Sequence, residues 1–260
     1  MALPIPPSPP SFPRVPVQQA SLASGLVLDA RRAVFLPAQR ILAVADLHLG
    51  YAWVQRQRGA LLPIDIPDDT ADRMVELQRD YSPKQIVILG DIVHQALPLP
   101  AIRTVIRELC ERLTAASELI FCLGNHDRQL ESLIASEKLP VRWAIEWRTE
   151  GWLWHHGDRV DVDVSLRMDA VEPIRVMGHE HPSVRLSDRV ASSVKAPCFL
   201  VSDRLVILPA FSRWAAGCTI GQQPFMSQQA RETAFPWVYA CMGARLLKIP
   251  WWMAVLRTAI

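Results

Sequence analysis

Each of the seven histidines in this chain, His48, His94, His126, His155, His156, His179 and His181, follows closely on a short apolar run, and none lies in a helical pattern. The same positions carry Asp46, Asp91, Asn125 and Asp127. A run of strand-forming residues that stops abruptly at Asp or His presents those side chains at the carboxyl end of a strand, where open α/β sheets place their sites. Five such strand ends must therefore share one rim of a sheet. Few folds satisfy that demand.

With 260 residues, half of them apolar, the chain has the material for one large domain with a sizeable core. The net charge of +2 is too small for bulk attraction to a polyanion, although only Lys84, Lys138, Lys195 and Lys248 are lysines and the other basic residues are arginines. Cys110, Cys122, Cys198, Cys218 and Cys241 are odd in number and never form a C-x-x-C pair. That argues against a disulfide framework or zinc ribbon and for a reducing, cytoplasmic compartment. No apolar stretch approaches the ~20 residues of a membrane span, and no basic-then-apolar leader opens the chain, so a soluble protein without a membrane partner is expected.

Residues 1–20 hold seven prolines and are expected to form a disordered tail outside the fold. The domain is expected over residues 21–222, with 223–260 an extension that lacks periodicity and contains Trp251 and Trp252. Apolar runs at 26–28, 33–36 and 41–45 read as strands. A polar segment with Arg56 and Arg58 follows, and then Pro67-Asp68-Asp69 opens a helix carrying Met74, Leu77 and Tyr81, with Asp68 or Asp69 as its cap. A strand at 85–89, a helix with Ile102, Val105, Ile106, Leu109 and Leu113, a strand at 119–123 and a helix at 129–138 come next. The second half is strand-rich, with runs at 141–147, 152–154 and 174–177 and a hairpin of 199–201 with 205–208. This alternation defines an α/β layered domain.

Asp, His and Asn donors without thiolates suit a borderline or hard divalent ion such as manganese, iron or zinc. There are more donors than one ion needs, and a pair of ions ~3.5–4 Å apart, bridged by one carboxylate, would use such a set and clamp a phosphoryl group from two sides.

Asp46-x-His48, Gly90-Asp91, Gly124-Asn125-His126-Asp127, His156-Gly157 and Gly178-His179-x-His181, in this order, resemble the full signature of the calcineurin-like metallophosphoesterases. The resemblance implies a single-domain, four-layer α/β/β/α sandwich. It also implies a first ion on Asp46, His48, Asp91 and His181 and a second on Asp91, Asn125, His156 and His179, with Asp91 as the bridge. Within the superfamily the chain most resembles the bacterial ligase-associated DNA damage response phosphoesterases, relatives of the SbcD-type nucleases. That likeness runs from about residue 26 to 221 and includes His94, Gly178-His179-Glu180-His181-Pro182-Ser183-Val184-Arg185 and Leu208-Pro209-Ala210-Phe211. Members commonly carry Lys after the first motif's glycine and Gly after Leu-Pro-Ala-Phe, where this chain has Tyr51 and Ser212. The likeness implies hydrolysis of DNA phosphodiesters in repair, on single-stranded or end structures, manganese as the first choice of metal, and a DNA ligase and a helicase as partners.

Two cations would lower the pKa of a bridging water toward ~7, so the expected chemistry is attack of a metal-bound hydroxide on phosphorus. His126, beside Asn125 but outside the ligand set, would protonate the leaving oxygen or stabilise the transition state, with Asp127 orienting it, capping the next helix, or both. His94 either contacts substrate phosphate or hydrogen-bonds within the site. His155 and His156 compete for one position, since neighbours on a strand point to opposite faces and only one can reach the metals easily; the resemblance, whose motif has histidine immediately before glycine, implies His156. Arg56, Arg58 and Arg185 either bind nucleic-acid phosphates or remain solvated. Trp143, Trp147, Trp152 and Trp154 are either core residues or a stacking platform, and Trp251 and Trp252 either pack back or dock a partner. The rival activity is a nucleotide-sugar pyrophosphatase like the UDP-diacylglucosamine hydrolases, which His156-Gly157-Asp158 resembles but whose usual arginine is His126 here. The complete ligand set argues against a non-catalytic scaffold.

Overall fold

The structure, a computed structural model, describes residues 16–61, 69–95, 100–159, 172–187, 193–215 and 217–256; residues 1–15 and Asp68 lie outside these. The first sheet starts as an antiparallel meander of β1 (Gln19–Ser21), β2 (Val27–Asp29), β3 (Ala33–Leu36) and β4 (Ile41–Ala45). It continues in parallel through β5 (Gln85–Leu89), β6 (Glu118–Cys122) and β7 (Arg142–Ala144). The connections carry α1 (Tyr51–Gln57), α2 (Thr70–Tyr81), α3 (Pro100–Thr114) and α4 (Leu130–Glu137).

Apart from Gln85 and Glu118 at their amino ends, the central strands are apolar because both of their faces are covered. Leu42, Val44, Ile86, Ile88, Leu119 and Phe121 join one core with Met74, Leu77, Ile106, Leu109 and Leu133 of the helices. The alternate residues Ile41, Ala43, Ala45, Val87, Leu89, Ile120 and Cys122 join a second core with Trp152, Trp154, Val176, Phe199 and Val206. Those partners belong to the second sheet, whose elements are β8 (Glu146–Thr149), β9 (Trp152–His155), β10 (Ile174–Met177), β11 (Pro182–Ser187), β12 (Ser193–Val201), β13 (Leu205–Ile207) and β14 (Cys218–Thr219). Their order is β14-β11-β12-β13-β10-β9-β8. After α5 (Gln228–Glu232), the hairpin of β15 (Trp237–Met242) and β16 (Arg245–Pro250) adds to β12, and α6 (Trp251–Leu256) ends the described chain. Ala230 and Ala254 of these helices cover Cys198, Leu200, Ile207 and Val238 on the sheet's outer face. The result is the four-layer α/β/β/α sandwich that the motifs imply.

Three expectations change. Gln19 and Ala20, assigned to the disordered tail, pair with β2, and Gln18 N donates to Ala244 O at 2.8 Å. The run 141–147 is not one strand: the chain leaves the first sheet at Ala144 and enters the second at Glu146, with Ile145 as the crossing. Residues 223–256 are part of the sandwich, since Tyr239 and Cys241 enter the core between the sheets while Val238 and Ala240 enter the outer one. Asp69 occupies the N-cap position of α2, but its side chain makes no capping bond and pairs with Arg213 at 2.7 Å. Among the described residues no helix is long and apolar enough to cross a membrane.

Candidate metal centre

Strand register brings the motifs together. Ala45 pairs with Leu89 and Leu89 with Cys122, so Asp46, Gly90-Asp91 and Gly124-Asn125 all leave the first sheet at the same level. In the second sheet His155 pairs with Met177, which places His156 and Gly178-His179 side by side. The loops after β4 and β5 continue as a ladder, with His48 N donating to Asp91 O at 2.8 Å and His94 N to Leu49 O at 3.0 Å. Asp46, His48, Asp91, His179 and His181 all have positive φ, a conformation that non-glycine residues rarely adopt and that clusters at functional sites. Glycine is required beside them: a Cβ on Gly90 would lie 2.2 Å from His156 Nδ1, and one on Gly178 would lie 2.6 Å from Asp46 Oδ2.

Two adjoining clusters result. Asp46, His48, Asp91 and His181 each offer one ligand atom, all within 4.8 Å of one another. His48 Nε2 lies 3.2 Å from His181 Nε2, which lies 3.3 Å from Asp46 Oδ1. In the second cluster His156 Nε2 is surrounded by His179 Nδ1 at 3.1 Å, Asn125 Oδ1 at 3.2 Å and Asp91 Oδ1 at 3.4 Å. His156 Nδ1, 3.1 Å from the Leu89 carbonyl, donates there and leaves Nε2 as an acceptor. Lone pairs converging this closely repel one another unless a cation sits among them, so the residues fit a metal in each cluster. Asp91 is common to both.

The electrostatics agree. Burial alone would raise the Asp46 carboxyl, but His181, His156 and His48 hold it below its ordinary pKa. Burial raises Asp91, and the charge of Asp46 adds to this. Burial drives His48 down to about 3 despite Asp46. His156 and His181 are raised in spite of burial because Asp46 and Asp91 face them. The two buried carboxylates therefore raise the proton affinity of these imidazoles when no cation is bound.

The remaining candidates divide. His126 Nδ1 lies 3.0 Å from the His94 carbonyl, which leaves Nε2 facing Asp91 Oδ2 at 3.9 Å. Asp127 neither orients that ring nor caps α4, whose N-cap is Gln129. Its buried carboxylate accepts from Val93 N at 3.1 Å and Gly124 N at 2.9 Å and so ties two motif loops together. His94 stacks on His126, with ring centroids 6.0 Å apart. His155 is buried on the opposite face, beside Glu146 across the β8 pairing, and burial pushes it down to about 4. Arg56 lies in the last turn of α1 and Arg58 directly after it, whereas Arg185 on β11 reaches across to Ser193 Oγ on β12 at 2.8 Å. Trp152 and Trp154 stack in the core, Arg142 lies over Trp147, and Trp251 packs on Phe225 and Phe235.

Two features were hidden in the sequence. Leu208-Pro209-Ala210-Phe211 braces Asp46, because Phe211 N donates to Ala45 O at 2.8 Å and Ser212 N to Asp46 O at 3.2 Å. Glu180, buried between His179 and His181, accepts from Met226 N at 2.9 Å and Ser227 N at 2.7 Å.

A four-layer sandwich whose facing sheets gather buried carboxylates and imidazoles on one rim defines a metal-dependent phosphoesterase. The family model described as calcineurin-like phosphoesterase matches residues 39–187, more than half of the chain, and the chain belongs to that family of phosphoester hydrolases. The fold is similar to that of a Pseudomonas putida nuclease, MPE, with a TM-score of 0.66 and 24% identity over 90% of this chain and 100% of that one. No curated protein matches the chain significantly.

Proposed function

We propose that this chain is a dinuclear-metal nuclease that hydrolyses DNA phosphodiesters and serves in repair. The observation that carries this reading is the pair of adjoining clusters sharing Asp91, with the Nε2 of His126 turned toward the shared carboxylate. Asp46, His48, Asp91 and His181 would hold one divalent ion and Asp91, Asn125, His156 and His179 the other. The oxygen and imidazole donors suit manganese, with iron or zinc as competitors. Such a pair, when bound, supplies an activated water near neutral pH and neutralises phosphoryl charge. The protein holds the two sets of ligands on loops whose backbone is pinned by Phe211, Ser212 and Asp127. His126 donates its Nδ1–H to the His94 carbonyl, which orients the ring with Nε2 toward the site, where it would deliver a proton to the leaving oxygen.

The nuclease named among the similar folds supports the choice of a nucleic-acid phosphodiester as substrate. Five free cysteines support a reducing, cytoplasmic setting, and partnership with a ligase and a helicase belongs to the same proposal. The test is a substrate panel with manganese: a labelled single-stranded oligonucleotide should be cut, with a rate that falls as salt rises. Indifference to DNA together with rapid hydrolysis of nucleotide-sugar pyrophosphates would replace this reading with the rival one.

A further inference from the structure

Beside the first cluster, the rings of Tyr51, His94 and Trp214 make a wall that the hydrolytic chemistry does not use. Tyr51 opens α1 directly after Gly50, where the resemblance leads one to expect lysine. Its ring centroid lies 4.6 Å from that of His94 and 6.4 Å from that of Trp214, whose plane is within 12° of parallel. His94 in turn stacks on the proton donor His126 and meets the ligand His48 edge-on at 5.4 Å. The wall thus runs outward from the metal ligands in steps of one ring.

Neither Tyr51 nor Trp214 belongs to a buried core; both are half-buried. Polar bonds anchor the Trp214 loop: Arg32 Nη1 donates to Ser212 O at 2.8 Å, Trp214 N to Ser212 Oγ at 3.2 Å, and Arg213 pairs with Asp69. Arg58 is the C-cap of α1, seven residues or about two helical turns on from Tyr51, so a basic residue belongs to the same short helix. Aromatic faces beside a basic residue are what proteins use to hold unpaired bases while the backbone is tracked by charge.

We propose that Tyr51 and Trp214 form a stacking platform for an unpaired nucleobase flanking the scissile phosphate, so that the substrate is a single-stranded or frayed polynucleotide. This rests on the nuclease reading above. Bases within a duplex have both faces covered by their neighbours, and only an unstacked base can lie on these rings. Stacking on one such platform corresponds to about a 5- to 150-fold effect.

The test compares oligothymidylate with a strand of the same length built from abasic tetrahydrofuran phosphodiesters, each offered to the full, manganese-loaded chain. The rate ratio between the two strands is internal to each preparation, so a variant that is partly unfolded reports the same ratio. The wild type should favour the base-bearing strand at least about 5-fold. Tyr51→Ala and Trp214→Ala should each bring the ratio toward one, while Tyr51→Phe and Trp214→Phe keep it. Equal cleavage of both strands by the wild type, or an unchanged ratio in both alanine variants, overturns the platform alone. Failure to cut either strand while other phosphoesters are hydrolysed overturns the nuclease reading and the platform with it.

Discussion

Removing the Glu180 carboxylate should loosen the metal loop from a distance, through the C-terminal segment. Its two oxygens take the backbone N–H groups of Met226 and Ser227, and Ser227 Oγ caps α5 by accepting from Ala230 N at 3.3 Å. In Glu180→Ala the Ser227 N–H, in a buried residue, loses its partner at a cost of about 1–3 kcal/mol. Met226 is largely exposed, so its N–H regains water and only a net bond of about 1 kcal/mol is lost. The sum is about 2–4 kcal/mol, or roughly 4–16 °C in Tm for a chain of this size. His179 and His181 flank the residue, so manganese affinity should fall by about 10- to 100-fold, as for other groups that orient ligands. Glu180→Gln, which keeps one acceptor, should fall between. Urea unfolding and a manganese titration of the three proteins provide the check. Stability within 0.5 kcal/mol of wild type, with unchanged affinity, would refute the coupling, since surface changes without structural role fall in that range.

His126→Ala should slow diester hydrolysis by about 10²–10⁴-fold while the bound metal, measured by elemental analysis, stays at the wild-type level. Asp127→Asn should cost about 1–3 kcal/mol in urea unfolding, because one of its two backbone donors then faces an amide NH₂. Burial lifts the Asp127 carboxyl to about 6 from 3.8, so the metal-free folded state binds this proton more tightly than the unfolded one. That contribution is full below about pH 4 and is lost as pH rises toward 6, a slope in stability that the Asn variant should lack. Metal loading should weaken as pH falls, because Asp91 and His156 both hold protons at higher pH than usual and a cation must displace them; competition titrations at two pH values measure this.

Much of the site was legible in the sequence because each ligand follows a run that must be strand. Once 41–45, 85–89 and 118–122 pair in parallel, Asp46, Asp91 and Asn125 have to emerge together. What was not legible depends on partners far along the chain. Asp127 looked like an aid to its neighbour His126, but its acceptors are used by Val93 and Gly124. β15 alternates between two cores, yet the alternation has meaning only because β12 offers an edge for it to join. Tyr51 and Trp214 carry no motif, and only the folding of the loop after Phe211 onto α1 makes them a pair. The break at Ile145 is similarly a matter of two sheets meeting, since nothing in the local apolar run marks it.

The central claim is that one carboxylate, Asp91, joins two cation sites. Manganese stoichiometry at saturation, read from the free-ion paramagnetic resonance signal, addresses it most directly. The proposal predicts two tightly held ions per chain in the wild type and, in Asp91→Ala, loss of the tight pair together with turnover. One ion per wild-type chain, or two held as tightly in Asp91→Ala, would contradict it.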